Sequence, residues 1–278
     1  LHLANGDDAA GALRRAGLPG EVAVWADCLD QGPLQGRAGT AQCRALRAAF
    51  LAGCGLGTPD AIRIQLDAWD APLLLRPDEV VLWFEADLNC QLALLHHLAV
   101  RPASLVLTPA PVSKYAPAEL AAMFPLRTQP RAALVGLAQA GWSAVTSADP
   151  RAIERLLDTD TSAMPFLAAA LRRHLQEFPE PGSGLSRTDR QLLETKGDFK
   201  SSQAREEAPF ITDFFFGLRI EELQGKGLLV AGQITDRGRA CLEGRLDYRS
   251  EAEPRWVGGV LLEGPSCYRW DGARVVAP

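Results

Sequence analysis

Several things are missing from this chain of 278 residues, and each absence closes a class of function. No stretch approaches the roughly 18 uninterrupted apolar residues that spanning a bilayer requires, so no membrane association is expected. No basic segment leads into an apolar run and a small-residue cleavage site, so a secretion signal is not expected either. The six cysteines form no Cys-x-x-Cys pair. That removes metal-knuckle spacing and makes a disulfide framework a poor reading; reduced, mostly buried thiols in a cytoplasmic protein are expected instead. There is no basic surplus. The net charge is −5, and residues 185–278 carry 14 Lys+Arg against 15 Asp+Glu, so neither half is drawn to nucleic acid by charge alone.

Familiar nucleotide signatures are missing as well. Gly6 and Gly11 are spaced like the glycines of a phosphate loop, but no Lys-Ser/Thr follows. Gly-x-Gly-x-x-Gly is absent after the first strand, and Gly53-Cys-Gly55-Leu-Gly57 follows a helix, which is the wrong context. The Asn5-Gly6-Asp7-Asp8 opening has Asp where a Gly-Asp-Ser esterase block needs its nucleophile, and no Asp-x-x-His partner exists.

What is present is ordinary globular composition, 47% hydrophobic and 23% charged, in a chain long enough for more than one core. Strands are predicted from Leu1 into Asn5-Gly6-Asp7-Asp8, over Glu21–Trp25, over Glu79–Phe84 and over Ser104–Leu107. Helices are predicted over Ala9–Ala16, Thr40–Leu51, Pro59–Trp69 and Leu88–Leu98, with Gly32-Pro33 as a turn. Strands separated by helix-length connections imply a parallel, Rossmann-like α/β sheet with helices on its faces. Residues 129–180 read as a helical connector packed on that sheet, with Asp149-Pro150 and Pro165 as helix starts. Glu180-Pro-Gly-Ser-Gly184 is a break. Residues 185–278 then read as a winged-helix-like module with a short β tail: a capping-box start at Ser186, helices over Ser201–Ala208 and Thr212–Gln224, a hairpin, and a helix begun by Thr235. The units expected are therefore 1–128, 129–180 and 185–278.

Certain residues also resemble a known family. They are Asn5-Gly6-Asp7, Gly32-Pro33, Leu82-Trp-Phe-Glu85-x-Asp87-Leu88-x-x-Gln91, Phe166–Leu175, Leu185-Ser-Arg-Thr-x-Arg-Gln-Leu-Leu193 and Arg255-Trp-x-Gly-Gly259. Together they resemble the bacterial domain-of-unknown-function family 1835, along essentially the whole chain. The resemblance implies the α/β-plus-winged-helix arrangement and no activity. The family pattern has Ser after Gly-Asp and His before Asp-Leu, where this chain has Asp8 and Ala86.

In open parallel sheets ligands bind outside the carboxyl ends of the strands. Asn5, Gly6, Asp7, Asp8, Asp27, Glu85, Asp87, Asn89 and Gln91 are all expected at that edge, with Arg173 and His174 as candidates to face an anionic ligand. Asp7, Glu85 and Asp87 are the expected metal ligands, for Mg²⁺ or Mn²⁺, which prefer oxygen and bridge to phosphate. The competing reading makes Asp7 and Asp87 simple helix caps. Two functions follow: a small-molecule or nucleotide site, extending to metal-assisted phosphate-ester chemistry, or a regulatory or adaptor protein whose winged helix meets another protein. DNA is the weaker partner, because the candidate reading helix offers Asp213, Glu221 and Glu222 against a single Arg219.

Overall fold

A computed structural model describes residues 1–278. The chain alternates strand and helix at the start: β1 (His2–Asn5), α1 (Asp7–Arg15), β2 (Val22–Trp25), β3 (Gly32–Pro33), α2 (Ala41–Gly53), α3 (Pro59–Leu74), β4 (Val81–Glu85), α4 (Leu88–Val100) and β5 (Ser104–Thr108). Four of these strands form one wholly parallel sheet in the order β2-β1-β4-β5. Strand alternation sends Val81 and Trp83 to one face of β4, and Leu82 and Phe84 to the other. Both faces are covered, which is why β4 reads as an unbroken apolar run. Ala9, Ala10, Ala12 and Leu13 of α1 pack on the first face, and Leu92, Leu95 and Leu98 of α4 belong to the core on the second.

The two helices therefore lie on opposite sides, and the chain leaves β1 and β4 in opposite directions across the sheet. The order reverses between these neighbours, so their carboxyl ends part and leave a crevice.

After β5 come α5 (Pro117–Met123), α6 (Ala132–Val145), α7 (Arg151–Leu157) and α8 (Leu167–Leu175). The last three add Leu134, Trp142, Ile153, Leu167 and Leu171 to the α4 side of the core. Pro150 itself, rather than Asp149, takes the cap position of α7; Asp149 Oδ1 accepts from the Arg151 amide one step further in. Then follow α9 (Arg187–Glu194), α10 (Phe199–Gln203), α11 (Asp213–Gly225), the hairpin β6 (Leu229–Val230) and β7 (Gln233–Ile234), and α12 (Asp236–Leu242). Ser186 and Asp189 make the expected capping box. The middle helix starts earlier and ends sooner than the sequence suggests, because Asp198 Oδ1 accepts from the Ser201 amide and fixes its start. These helices have their own core, with Leu192, Leu193, Phe216, Leu223 and Cys241 at its centre.

A tail of short strands follows. It comprises β8 (Arg255–Gly258), β9 (Val260–Leu262), β10 (Arg269–Trp270) and β11 (Val275–Val276). β8 runs parallel to β3, with Gly32 opposite Val257 and Pro33 opposite Gly258. Gly32-Pro33 is thus a short strand rather than only a turn. Val257, Val260, Leu262 and Val275 enter the main core at the front of the chain, while Arg255 and Arg269 reach back to Asp189 and Asp247 of the preceding helical unit. Gly32 is needed there: its φ of 77° favours glycine, and a Cβ would collide with the Phe50 ring. All six cysteines are free; Cys90, Cys241 and Cys267 are buried, and the other three are partly exposed. No helix is long and apolar enough to cross a membrane.

Candidate functional site

The crevice between β1 and β4 opens into a pocket of about 310 Å³. Asn5 and Gly6 at the end of β1, and Glu85 at the end of β4, form its floor; Asp87, Asn89 and Cys90 come from the start of α4. Ala26, Cys28 and Asp30, just past β2, form one wall. Pro209, Phe210, Ile211 and Thr212, between α10 and α11, close another. The helical unit thus supplies a lip to the sheet's site.

Local hydrogen bonds fix the polar groups. Asp87 is the N-cap of α4, and its Oδ1 accepts from the Cys90 amide at 2.9 Å. This brings the Cys90 thiol back toward the carboxylates, where Asn5 Nδ2 donates to Sγ at 3.2 Å. Glu85 Oε1 accepts from the Val112 amide at 2.7 Å, and Gln91 Nε2 donates to the Glu85 carbonyl at 2.7 Å. Asn89 Oδ1 accepts from the Leu29 amide at 2.7 Å and ties α4 to the segment after β2. On the lip, Ile211 has a φ of 59°, a conformation that β-branched residues rarely take. Gln203 holds it there, accepting from the Phe210 amide and donating to the Phe210 and Ile211 carbonyls.

One ligand atom from each of Glu85, Asp87 and Cys90 lies within 4.8 Å of the others, a cluster capable of coordinating a metal ion. No ion pair of the protein involves Asp30, Glu85 or Asp87, although arginine pairs with acid at many other places. Burial without a cation has the expected consequence. It raises Glu85 to about 7, with the Asp87 charge adding to the effect and the Val112 amide and Lys114 opposing it. Burial raises Asp30 to about 6 and lifts Asp87 above the usual carboxylate range despite the Cys90 amide. It also pushes the Cys28 thiol up to about 12 and Cys90 well above an ordinary thiol.

Of the residues expected at this edge, Asn5, Gly6, Glu85, Asp87 and Asn89 line the pocket. The others do not. Asp7 and Asp8 are exposed in the first turn of α1, outside the pocket, so Cys90 takes the place foreseen for Asp7 in the metal cluster. Neither aspartate caps α1 either, since Gly6 holds that position without a side-chain cap. Asp27 is one residue out of phase: it points to the opposite side of its segment and meets Arg47 at 2.6 Å. Gln91 is fully buried and supports the Glu85 backbone from beneath. Arg173 is engaged with Glu177, Glu206 and Thr188 and stacks 3.7 Å over the Phe210 ring, so it braces the lip without entering the pocket. His174 is buried, and Gly258 approaches so closely that a Cβ would stand 2.9 Å from its Nε2.

Sequence reasoning passed over Cys28, Asp30, Cys90 and the 209–212 lip. Cys90 had a usable signal, three residues after the capping Asp87 and so back over the cap. The lip had none, because its partners are distant in the chain.

No family model, curated protein or solved structure matches this chain.

Proposed function

We propose that the protein binds a small molecule at the crevice between β1 and β4, through a divalent cation held by Glu85, Asp87 and Cys90. The observation that carries this reading is three half-buried carboxyl groups, Asp30, Glu85 and Asp87, converging without an ion-pair partner on the crevice where the strand order reverses. Such a cluster is costly empty and is relieved by a cation. The thiol in the ligand set shifts preference away from Mg²⁺ and Mn²⁺ toward Zn²⁺. An anionic ligand is repelled by these carboxylates alone and becomes admissible once a cation bridges to it. The uncapped first turn of α1 beside Gly6 would add backbone N–H donors, which suits a phosphate or nucleotide group and, with the cation as Lewis acid, phosphate-ester chemistry. Six free thiols suit a reducing, cytoplasmic compartment. The resemblance to the domain-of-unknown-function family 1835 fits this arrangement and adds no activity.

For residues 185–278 we favour a winged-helix-like module with a short β tail, used for ligand-dependent protein contact. Two things support it over DNA binding. Arg219 is buried between Asp189 and Glu222, and Arg237, Arg239 and Arg245 pair with Glu251, Asp236 and Glu243. The lip of the pocket also leads directly into α11.

The experiment is a thermal-shift and calorimetric titration with Mg²⁺, Mn²⁺ and Zn²⁺, each alone and with AMP or ATP. It compares the parent with a Glu85→Gln, Asp87→Asn double variant. A ligand at about a hundred times its dissociation constant adds about 2.7 kcal/mol of stability. A metal-dependent shift in the parent that is lost in the double variant is expected. Equal shifts in both proteins, or none in either, would overturn the reading.

A further inference from the structure

The segment after β2 has a second face. Ala26, Cys28 and Asp30 line the crevice pocket, whereas Trp25, Asp27 and Leu29 line a different cavity. The two share no lining residue and stand back to back across this stretch of chain. The second cavity is enclosed by β2 and by α2, α3, α4 and α6, which bring Arg44, Asp70, His96 and Trp142 to it.

Three rings define its shape. The His96 ring stands 5.2 Å from that of Trp25 and 5.1 Å from that of Trp142. Both indole N–H groups are spent on the protein: Trp25 Nε1 donates to Asp70 Oδ1 at 2.9 Å, and Trp142 Nε1 to the Gly36 carbonyl at 3.3 Å. What the indoles have left to offer a ligand is ring surface. Asp27 is likewise satisfied by two nitrogens of Arg47.

Other groups are not spent. Nδ1 of His96 is shielded from solvent and meets no hydrogen-bond partner. Arg44 uses Nη1 on Asp70 and leans Nε toward Asp67, leaving Nη2 without a partner. Each Asp70 oxygen takes one donor and has a further lone pair. The formal charges cancel, two aspartates against two arginines, and burial keeps His96 neutral by lowering it to about 4.

We propose that this cavity is a binding site for a neutral planar nitrogen heterocycle of the nucleobase type, packed against Trp25 and Trp142 and read along its edge by His96, Arg44 and Asp70. The chemistry excludes the alternatives in turn. An aliphatic ligand offers no acceptor to the Arg44 Nη2 N–H and no donor to the Asp70 lone pairs, and so forfeits those hydrogen bonds. An anion meets Asp27 and Asp70, and a cation meets Arg44 and Arg47. A flat ring with donors and acceptors on its rim satisfies both the aromatic walls and the unspent polar atoms. The inference does not depend on a metal or ligand in the crevice.

The test is titration of the full chain with adenine, cytosine, uracil and nicotinamide, with benzene as an apolar control, followed by tryptophan fluorescence and calorimetry. Three variants accompany the parent: His96→Phe, which keeps a ring and removes the nitrogens; Arg44→Met, at a side chain 21% exposed; and Asp87→Asn in the other pocket. The expected result is saturable binding and quenching by at least one heterocycle. It is weakened at least tenfold in His96→Phe and Arg44→Met and unchanged in Asp87→Asn. Should His96→Phe not fold, Arg44→Met decides. Three results would overturn the proposal: no saturation by any of the four heterocycles at millimolar concentration, benzene binding as well as they do, or loss of binding in Asp87→Asn alone.

Discussion

The two sides of the Trp25–Asp30 segment hold the same kind of side chain under opposite conditions. On the inner side Asp27 and Asp70 are buried, and each has an arginine of α2 against it. On the crevice side Asp30, Glu85 and Asp87 have no such partner, and burial raises all three toward protonation. Residue type therefore does not separate architecture from site. A buried carboxylate with its countercharge is part of the framework, and removing the countercharge is what costs. A half-buried carboxyl left without one is held at a cost the fold does not recover, and it is there that a cation would be bound most favourably.

The largest effect should come from the inner side. Arg47 is buried, pairs with Asp27, and also donates to the carbonyls of Cys28 and Gln31. Arg47→Met leaves a buried aspartate and the Gln31 carbonyl unpartnered, while the Cys28 carbonyl keeps the Gln31 amide. It should cost about 3–5 kcal/mol in urea unfolding, and Asp27→Asn placed on top should return part of that. A loss below about 1 kcal/mol would mean that Asp27 is solvated in the folded protein, and the contrast between the two sides would collapse.

The crevice side should show the opposite sign. Glu85 titrates near 7 when folded and near the ordinary glutamate value when unfolded, so between those values the folded state holds the extra proton. Stability from this group is complete below the lower value and falls as pH rises, by up to about 1.4 kcal/mol per pH unit. In EDTA-treated protein, Glu85→Gln should thus be more stable than the parent at pH 8 by about 1–3 kcal/mol, with the gain shrinking toward pH 5. Burial lowers His96 and His174 to about 4, and also lowers His2 and His97; these add a slope of the opposite sign below about pH 6.5. That slope is common to both proteins and cancels in the difference. A variant less stable than the parent at every pH would show that Glu85 is paired after all.

Local chemistry made much of this legible in the sequence. The apolar run into Glu85 and the following Asp87 located a strand end and a helix cap, because both signals lie within a few residues of each other. Thr40, Thr212 and Thr235 announced their helices in the same way, and each stands at the N-cap. Asp27 and Asp30 were beyond such reasoning. Which of them faces the crevice depends on the phase of an extended segment, and their difference in partner depends on Arg47 from a separate helix. The pairing of β3 with β8 and the 209–212 lip are longer-range still; no local propensity encodes a neighbour from the far end of the chain.

The smallest expected effect is the most discriminating, because Asp87 serves both as cap and as unpaired crevice carboxylate. Asn caps a helix about as well as Asp, whereas Ala does not and costs about 1 kcal/mol. If the cap is all that Asp87 provides, Asp87→Asn should match the parent and Asp87→Ala should fall by that amount, with or without metal. If the carboxylate also suffers from its burial, Asp87→Asn should gain a few tenths of a kcal/mol in EDTA and should lower the folded pKa of Glu85, since the Asp87 charge helps to raise it. Adding Zn²⁺ should then reverse the order, because only the parent keeps its full set of ligands. Paired melts in EDTA and in metal read both jobs from one side chain. The order should invert on adding metal if the crevice is a cation site, and stay fixed if Asp87 is only a cap.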